Sequence, residues 1–341
     1  MTVFSVPIDG LGNVRIDVDD NHAIYQPTHS SGAPKASGIY PAVADVSPGR
    51  GLVAKIVRSN VYMNNVSCDD LFARERDAYQ QIFPELVGDI NSADPRLSSI
   101  LRCFGIYPGP VEVDGFGPAA GVLILERFEK SSWRAAAASE RGTTERVALA
   151  QRVVRTALDA NGFLDETELG AWRDAHPLNV LVDGKRVVIC DFSHAYAPMG
   201  TDASGELITT NGTLPTRWDF AAPELLRKVA CNRMIGVNWR PDPLSDLWSI
   251  GVTGYALLSQ RPAGDGEIGL DGQVAELPWR FNGSRQLWPT PASGLFGSSA
   301  PSRLVQEIDC GHLRVDLSDL DQICPSRELA TVIRFMLRQH P

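Results

Sequence analysis

The stretch Ser245–Pro262, SDLWSIGVTGYALLSQRP, constrains the fold of this chain more than any other. It has helical length and is apolar on nearly every side, and a helix without a polar face belongs in the middle of a domain. Such a helix needs other elements packed around it. A chain of 341 residues supplies them, being long for one compact core and short for two large ones. Hydrophobic residues make up 43% and charged residues 21%, an ordinary globular balance. Thirty Gly and 23 Pro point to long, well-punctuated loops rather than to general disorder.

Ahead of the central helix the pattern is mostly β. GIYPAVADV (Gly38–Val46) and LVAKIV (Leu52–Val57) read as strand, tight turn, strand. A helix is expected over Ser67–Phe83, with Asp69 and Asp70 as N-cap candidates, Leu71, Phe72, Ala78, Tyr79 and Ile82 at helical spacing, and Arg74, Arg76 and Asp77 as a solvated face. ILRCFGIY and AGVLILERF read as two more strands, separated by a Gly/Pro-rich link at 108–121.

After Ser131 helices take over. Thr143–Ala160 is amphipathic, with Val147, Leu149, Val153, Val154 and Leu158 on one stripe. NVLVDG and RVVICDF form a short β pair joined by an Asp-Gly turn. Residues 263–302, rich in Gly, Pro and Ser, read as an extended loop, and a last helix covers about Arg327–Arg338. The expected class is α+β in two lobes: a small β-rich one over 1–128 and a larger, mainly helical one over 129–341. The link lies near Phe128–Trp133, and a cleft between two lobes suits a small cofactor.

A net charge of −9 argues against nucleic acid as the main ligand, because a broad phosphate-binding face needs the opposite balance. The six cysteines form no CxxC pair and show no zinc-finger spacing. They are expected as reduced thiols in a cytoplasmic or nuclear protein. Met1–Gly10 lacks a basic start and an apolar core, and no apolar run approaches the ~20 residues of a membrane helix. No membrane association is expected.

The chemistry concentrates in WRDAHPLNVLV (Trp172–Val182). An Asp followed five residues later by Asn, just ahead of an apolar strand, sets two oxygen-bearing side chains at one strand mouth. Asp174 can accept or orient the proton of an attacking hydroxyl, and Asn179 can offer a carbonyl oxygen to Mg²⁺. Twelve residues on, VVICDF delivers Asp191 at the end of the paired strand, a natural second metal ligand. Each residue alone reads more simply as a turn or cap residue; the three together on strand–turn–strand favour a site.

These residues resemble the protein kinase family. Trp172-Arg173-Asp174-Ala175-His176-Pro177-Leu178-Asn179 is similar to H-R-D-x-K-P-x-N, and Asp191-Phe192-Ser193 to D-F-G. Lys55 in LVAKIV resembles the strand lysine of V-A-I-K, and Glu75 its helix partner. Ala222-Pro223-Glu224 matches A-P-E, and Ser245–Pro262 resembles the buried central helix. The order holds from about residue 30 to 262.

The resemblance implies ATP and Mg²⁺ as cofactors. Lys55 would contact the α- and β-phosphates and pair with Glu75. Asn179 and Asp191 would hold the metal, and Asp174 would be the base. Asp246 would support the catalytic-loop backbone, and Arg173 would read a phosphate on the activation segment, 191–224. Glu126 and Phe128 would meet adenine through the hinge backbone, with Leu125 as gatekeeper and Val53 and Leu181 on either side of the ring.

Departures from the family are specific. Gly32 and Gly38 flank APKAS without a G-x-G-x-x-G, leaving Ser31, Ser37 and backbone N–H groups to cover phosphates. Trp172 stands for the usual His and is expected to pack beneath Phe192. Ser193 stands for Gly, giving up freedom at positive φ. His176 stands for the Lys near the transferred phosphate: either a protonated donor to the γ-phosphate or a neutral loop histidine. D-x-H-P-x-N also resembles aminoglycoside and choline kinases.

Thr216 is the candidate threonine facing the base, and Thr201, Thr209, Thr210 and Thr213 are candidate phosphosites. Glu224 is expected to pair with Arg334 or Arg338. Trp279, Trp288 and Phe296 are either a docking surface or local core. The leading expectation is a divergent, fungal-like Ser/Thr protein kinase acting on a protein substrate. The alternatives are a small-molecule kinase and a nucleotide-binding pseudokinase scaffold.

Overall fold

A computed structural model describes residues 2–8, 12–18, 42–46, 52–60, 62–63, 66–83, 95–113, 117–167, 169, 171–195, 217–232, 243–267, 269–289 and 301–338. The architecture mixes helices with small antiparallel sheets, in keeping with the α+β class. Strands β1 (Thr2–Ile8) and β2 (Gly12–Val18) form a hairpin. Next come β3 (Ala42–Val46), β4 (Leu52–Arg58), the short pair β5 (Tyr62–Met63) and β6 (Val66–Ser67), and helix α1 (Cys68–Ile82). Of these, β3 and β4 join β7 (Cys103–Val113) and β8 (Gly117–Glu126) in a four-stranded antiparallel sheet in the order β3-β4-β8-β7. The expected link at 108–121 is largely strand, because β7 and β8 run on as a long hairpin past Pro108.

The α1 helix starts on Ser67, whose hydroxyl accepts the Asp69 N–H. Asp69 and Asp70 are therefore first-turn residues, not caps, and their charge meets the positive end of the helix dipole. Leu71, Phe72, Ala78, Tyr79 and Ile82 are buried as their spacing predicts. Arg74 corrects the expectation of a solvated Arg74/Arg76/Asp77 face: it is buried, while Arg76 and Asp77 pair with each other at 2.7 Å. The helix lies close over the sheet at Gly121. A Cβ there would stand 2.0 Å from the Phe72 ring, so a side chain at 121 and Phe72 cannot both keep their places.

Next come β9 (Lys130–Ser131), α2 (Ser132–Ala137), α3 (Thr144–Asp165), β10 (Val180–Asp183), β11 (Arg186–Ile189), α4 (Pro223–Asn232) and α5 (Pro243–Ser259). Strands β11, β10 and β9 form a small sheet, so β10 joins the segment after Glu126 to the loop 172–179. Gly184, at φ 54°, begins the two-residue turn between β10 and β11. The apolar α5 lies in the core, with Ile250, Val252, Ala256, Leu257 and Leu258 fully buried. Its Gly254 lets α3 approach: a Cβ there would come within 2.7 Å of Val154.

The region 263–302 is not an extended loop. After β12 (Arg261–Pro262), its described residues form β13 (Gln273–Phe281) and β14 (Ser284–Trp288), and α6 (Pro301–Asp309) begins at its end. The chain closes with β15 (Leu313–Val315), α7 (Leu320–Ile323) and α8 (Arg327–Met336). The sheet order is β12-β13-β14, with β15 on β13. The hairpin turns at Asn282-Gly283, with φ 48° and 83°, a dipeptide suited to two successive positive φ values. Trp279 and Trp288 are wholly buried and belong to the core; Phe296 lies outside the described residues. Arg334 pairs with Asp321 at 2.7 Å and Arg338 lies over Phe335, so neither serves as the expected partner of Glu224.

Candidate active site

Strand β4 carries Lys55 towards α1, and Glu75 reaches back from the third turn of that helix. Lys55 Nζ donates to Glu75 Oε1 at 2.8 Å and Oε2 at 2.7 Å, and to Asp191 Oδ1 at 3.2 Å. Lys55 and Glu75 are buried, so water competes little for these charges. Asp191 follows β11 at φ 62°, a left-handed conformation unusual for a non-glycine residue. The Ser193 hydroxyl donates to Asp191 Oδ1 at 2.6 Å, a constraint that glycine at that position would lack. Phe192 packs edge-on against Tyr79 of α1, ring centroids 5.3 Å apart.

The loop from Trp172 to Asn179 rests on α5. Asp246 Oδ2 accepts the Trp172 N–H at 2.6 Å and Oδ1 the Arg173 N–H at 2.9 Å. Two turns further along the same helix, the Thr253 hydroxyl donates to Ala175 O at 3.2 Å. These contacts hold Arg173 at φ 67°, a costly backbone state that persists where surroundings over-determine it. Trp172 Nε1 donates to Cys190 O at 3.1 Å and Asp191 O at 3.2 Å. This residue thus ties the loop to the chain around Asp191 by hydrogen bonds.

Asn179 Nδ2 donates to Asp174 Oδ2 at 2.8 Å and to Asp174 O at 3.1 Å. Ser132 Oγ donates to Pro177 O at 2.7 Å, fixing the far side of the loop. Ser249 of α5 donates to Phe220 O at 2.9 Å, so one helix also anchors the segment before Ala222-Pro223-Glu224.

Charge follows from this packing. Burial works against the Lys55 cation, but Asp191 and Glu75 outweigh it and hold the ammonium group well above its usual range. Burial, aided by the Asp191 charge, pushes Glu75 up to about 7 despite Lys55. Asp191 is opposed by burial too, yet Lys55, His194 and the Ser193 hydroxyl keep it well below the usual carboxylate range. Asp174, likewise buried, is held below that range by His176 and His194. Burial pushes Asp246 up to about 6 against its two backbone donors. Asp174 and Asp191 are therefore anionic at neutral pH beside a permanent cation.

Val53, Phe128 and Leu181 are half-buried hydrophobic residues packed against the same core as the buried Leu125. Val53 pairs with Leu125 across β4 and β8. Glu126 donates its N–H to Arg102 O at 3.0 Å, and its carboxylate pairs with Arg186, whose guanidinium lies 5.2 Å from the Phe128 ring centroid. His194, which sequence reasoning did not single out, lies near Asp174 and Asp191; its only signal was its place three residues after Asp191. Ser31, Gly32, Ser37, Gly38, Thr201, Thr209, Thr210, Thr213 and Thr216 lie outside the described residues.

No protein-family model matches the chain, and a search of curated proteins finds no match. Among the described residues no helix is long and apolar enough to cross a membrane.

Proposed function

We propose that this chain is a phosphotransferase with the bilobal fold of the protein kinases, moving the γ-phosphoryl group of ATP, with Mg²⁺, to Ser or Thr of a protein substrate. One observation carries the reading. Lys55 and Asp191 are 136 residues apart in sequence and 3.2 Å apart in space, with Glu75 on the same ammonium group. Asp174 and Asn179, hydrogen-bonded to each other, come from the loop that α5 supports.

Phosphoryl transfer asks a protein for position and charge neutralisation more than for covalent chemistry. Lys55, fixed between two carboxylates, is an immobile cation for the α- and β-phosphates. Asp174 is an ionised carboxylate able to orient the acceptor hydroxyl and take its proton. Asn179 has its amide nitrogen committed to Asp174, so its carbonyl oxygen remains as a ligand atom; Asp191 adds a carboxylate. These are hard oxygen donors of the kind Mg²⁺ takes, the remainder coming from phosphate and water. The metal, when bound, neutralises phosphate charge. Val53 and Leu181 flank the adenine ring, and the backbone at Glu126 and Phe128 reads its edge. The Ser249 tie to Phe220, just before Ala222-Pro223-Glu224, supports a shaped acceptor surface and so a protein substrate.

Incubation with labelled ATP, Mg²⁺ and generic protein substrates tests this. The expected result is phosphate on Ser or Thr, with Asp174→Asn lowering kcat by about 10²–10⁴-fold while nucleotide still binds. Label confined to small metabolites replaces the protein acceptor with a small molecule, the reading that Asp174-Ala175-His176-Pro177-Leu178-Asn179 favours. Nucleotide binding without any transfer makes the chain a binding module.

A further inference from the structure

His176 is buried inside the catalytic loop, and its ring is held on several sides. The Leu178 N–H donates to Nδ1 at 3.2 Å. A nitrogen that accepts carries no proton, so the proton of the neutral ring sits on Nε2. Nε2 lies 3.5 Å from Asp174 Oδ2, the oxygen that also accepts from Asn179. Catalytic hydrogen bonds are often long before substrate binds and tighten afterwards.

The ring plane is set by two aromatic neighbours, Phe220 at 6.0 Å and Trp288 at 6.5 Å between centroids. Trp288 is itself wedged edge-on between Trp133, at 4.6 Å, and Phe220, at 5.3 Å. It is the last residue of β14, so the hairpin at 273–288 delivers it.

Resting on the phosphotransferase reading, we propose that His176 is a positioning residue for Asp174, and that Trp288 fixes the imidazole in the orientation this requires. The neutral ring donates from Nε2 to Asp174 Oδ2. Two N–H donors then occupy Oδ2, and Oδ1 is left to take the acceptor's proton. A protonated ring serving the γ-phosphate would need Nδ1 to donate, which conflicts with the Leu178 N–H directed at it. The β13–β14 hairpin thereby becomes part of the apparatus that aims the base.

Three single variants, one double variant and one spectrum test this. Gln at 176 reaches Asp174 with an N–H; Asn at 176 does not. His176→Asn is expected to lower kcat by about 100-fold with KM for ATP unchanged, and His176→Gln to recover most of it. Trp288→Phe is expected to lower kcat several-fold, and the double variant His176→Asn/Trp288→Phe to be no slower than His176→Asn alone, because coupled residues are non-additive. Equal impairment of Gln and Asn, a loss expressed in KM for ATP, or additive effects would overturn the proposal. Should Trp288→Phe fail to fold, the two His176 variants decide the matter. Nitrogen-15 spectra of histidine-labelled wild type read the tautomer without any assay: proton on Nε2 supports the inference, proton on Nδ1 overturns it. A wild type that transfers no phosphate would defeat the proposed function while leaving that spectrum to judge the geometry.

Discussion

Lys55 on β4 is secured by side-chain charge, with Glu75 reaching across from α1, whereas the loop that carries Asp174 is tied by its backbone to α5. The first arrangement depends on where one helix rests on a sheet, and that helix rests on Phe72 over Gly121. The second draws on Asp246 and Thr253 of a helix enclosed by the core, with Ser249 of the same helix holding the neighbouring segment. A side-chain ion pair across two elements is broken by a displacement of a few ångströms. A loop hung from a buried helix is displaced only by disturbing the core. Lys55 is therefore the adjustable part of the site and the Asp174 loop the permanent part.

The largest effect is expected at the permanent part. Asp246→Ala leaves the Trp172 and Arg173 N–H groups buried without their acceptor, at about 1–3 kcal/mol each. Denaturant unfolding is expected to show a loss of about 2–6 kcal/mol, with Asp246→Asn losing less. A small loss would mean that Thr253 and packing suffice to hold the loop.

Gly121→Val addresses the adjustable part. The new side chain forces Phe72 away, at about 1–3 kcal/mol of overpacking, and carries Glu75 from Lys55. Nucleotide affinity is expected to fall further than stability does, and Phe72→Leu in the same chain to restore part of it. Unchanged nucleotide affinity would show that the seat of α1 does not govern Lys55.

A smaller effect is expected with pH. Glu75 binds its proton more tightly when folded, near pH 7, than a free glutamate, at about 4.3. Its contribution to stability is complete below the lower value and is lost as pH rises through the higher one. Asp191, held well below the carboxylate range, acts with the opposite sign and is lost only in acid. Across the interval between about pH 4.3 and pH 7, wild type is expected to lose thermal stability more steeply than Glu75→Gln. Parallel melting curves would mean that Lys55 keeps Glu75 ionised throughout.

Much of the site was legible because its residues sit in local patterns. Asp174 and Asn179 share one loop, Lys55 lies on a β-type run, Glu75 lies on a helical stripe, and Asp191 directly follows an apolar β-type run. The hairpin at 273–288 was missed because its Gly/Pro/Ser-rich surroundings outweighed Asn282-Gly283, the dipeptide that marks its turn. Arg74 was misread because a charge cluster on a helix is usually solvated, and only the packing of α1 shows that this one is buried.

By itself the sequence determined the class of elements, the central position of α5 and the stock of oxygen and nitrogen ligands, since periodicity and composition act over a few turns of chain. Only the tertiary structure decided which of those groups meet. It set Lys55 between Glu75 and Asp191, hung the Asp174 loop from Asp246, and brought Trp288 to the ring of His176. These contacts join residues far apart in the chain. Their geometry follows from how whole elements pack, from a glycine that lets a helix close on a sheet and from a hairpin that fills the space beneath a loop.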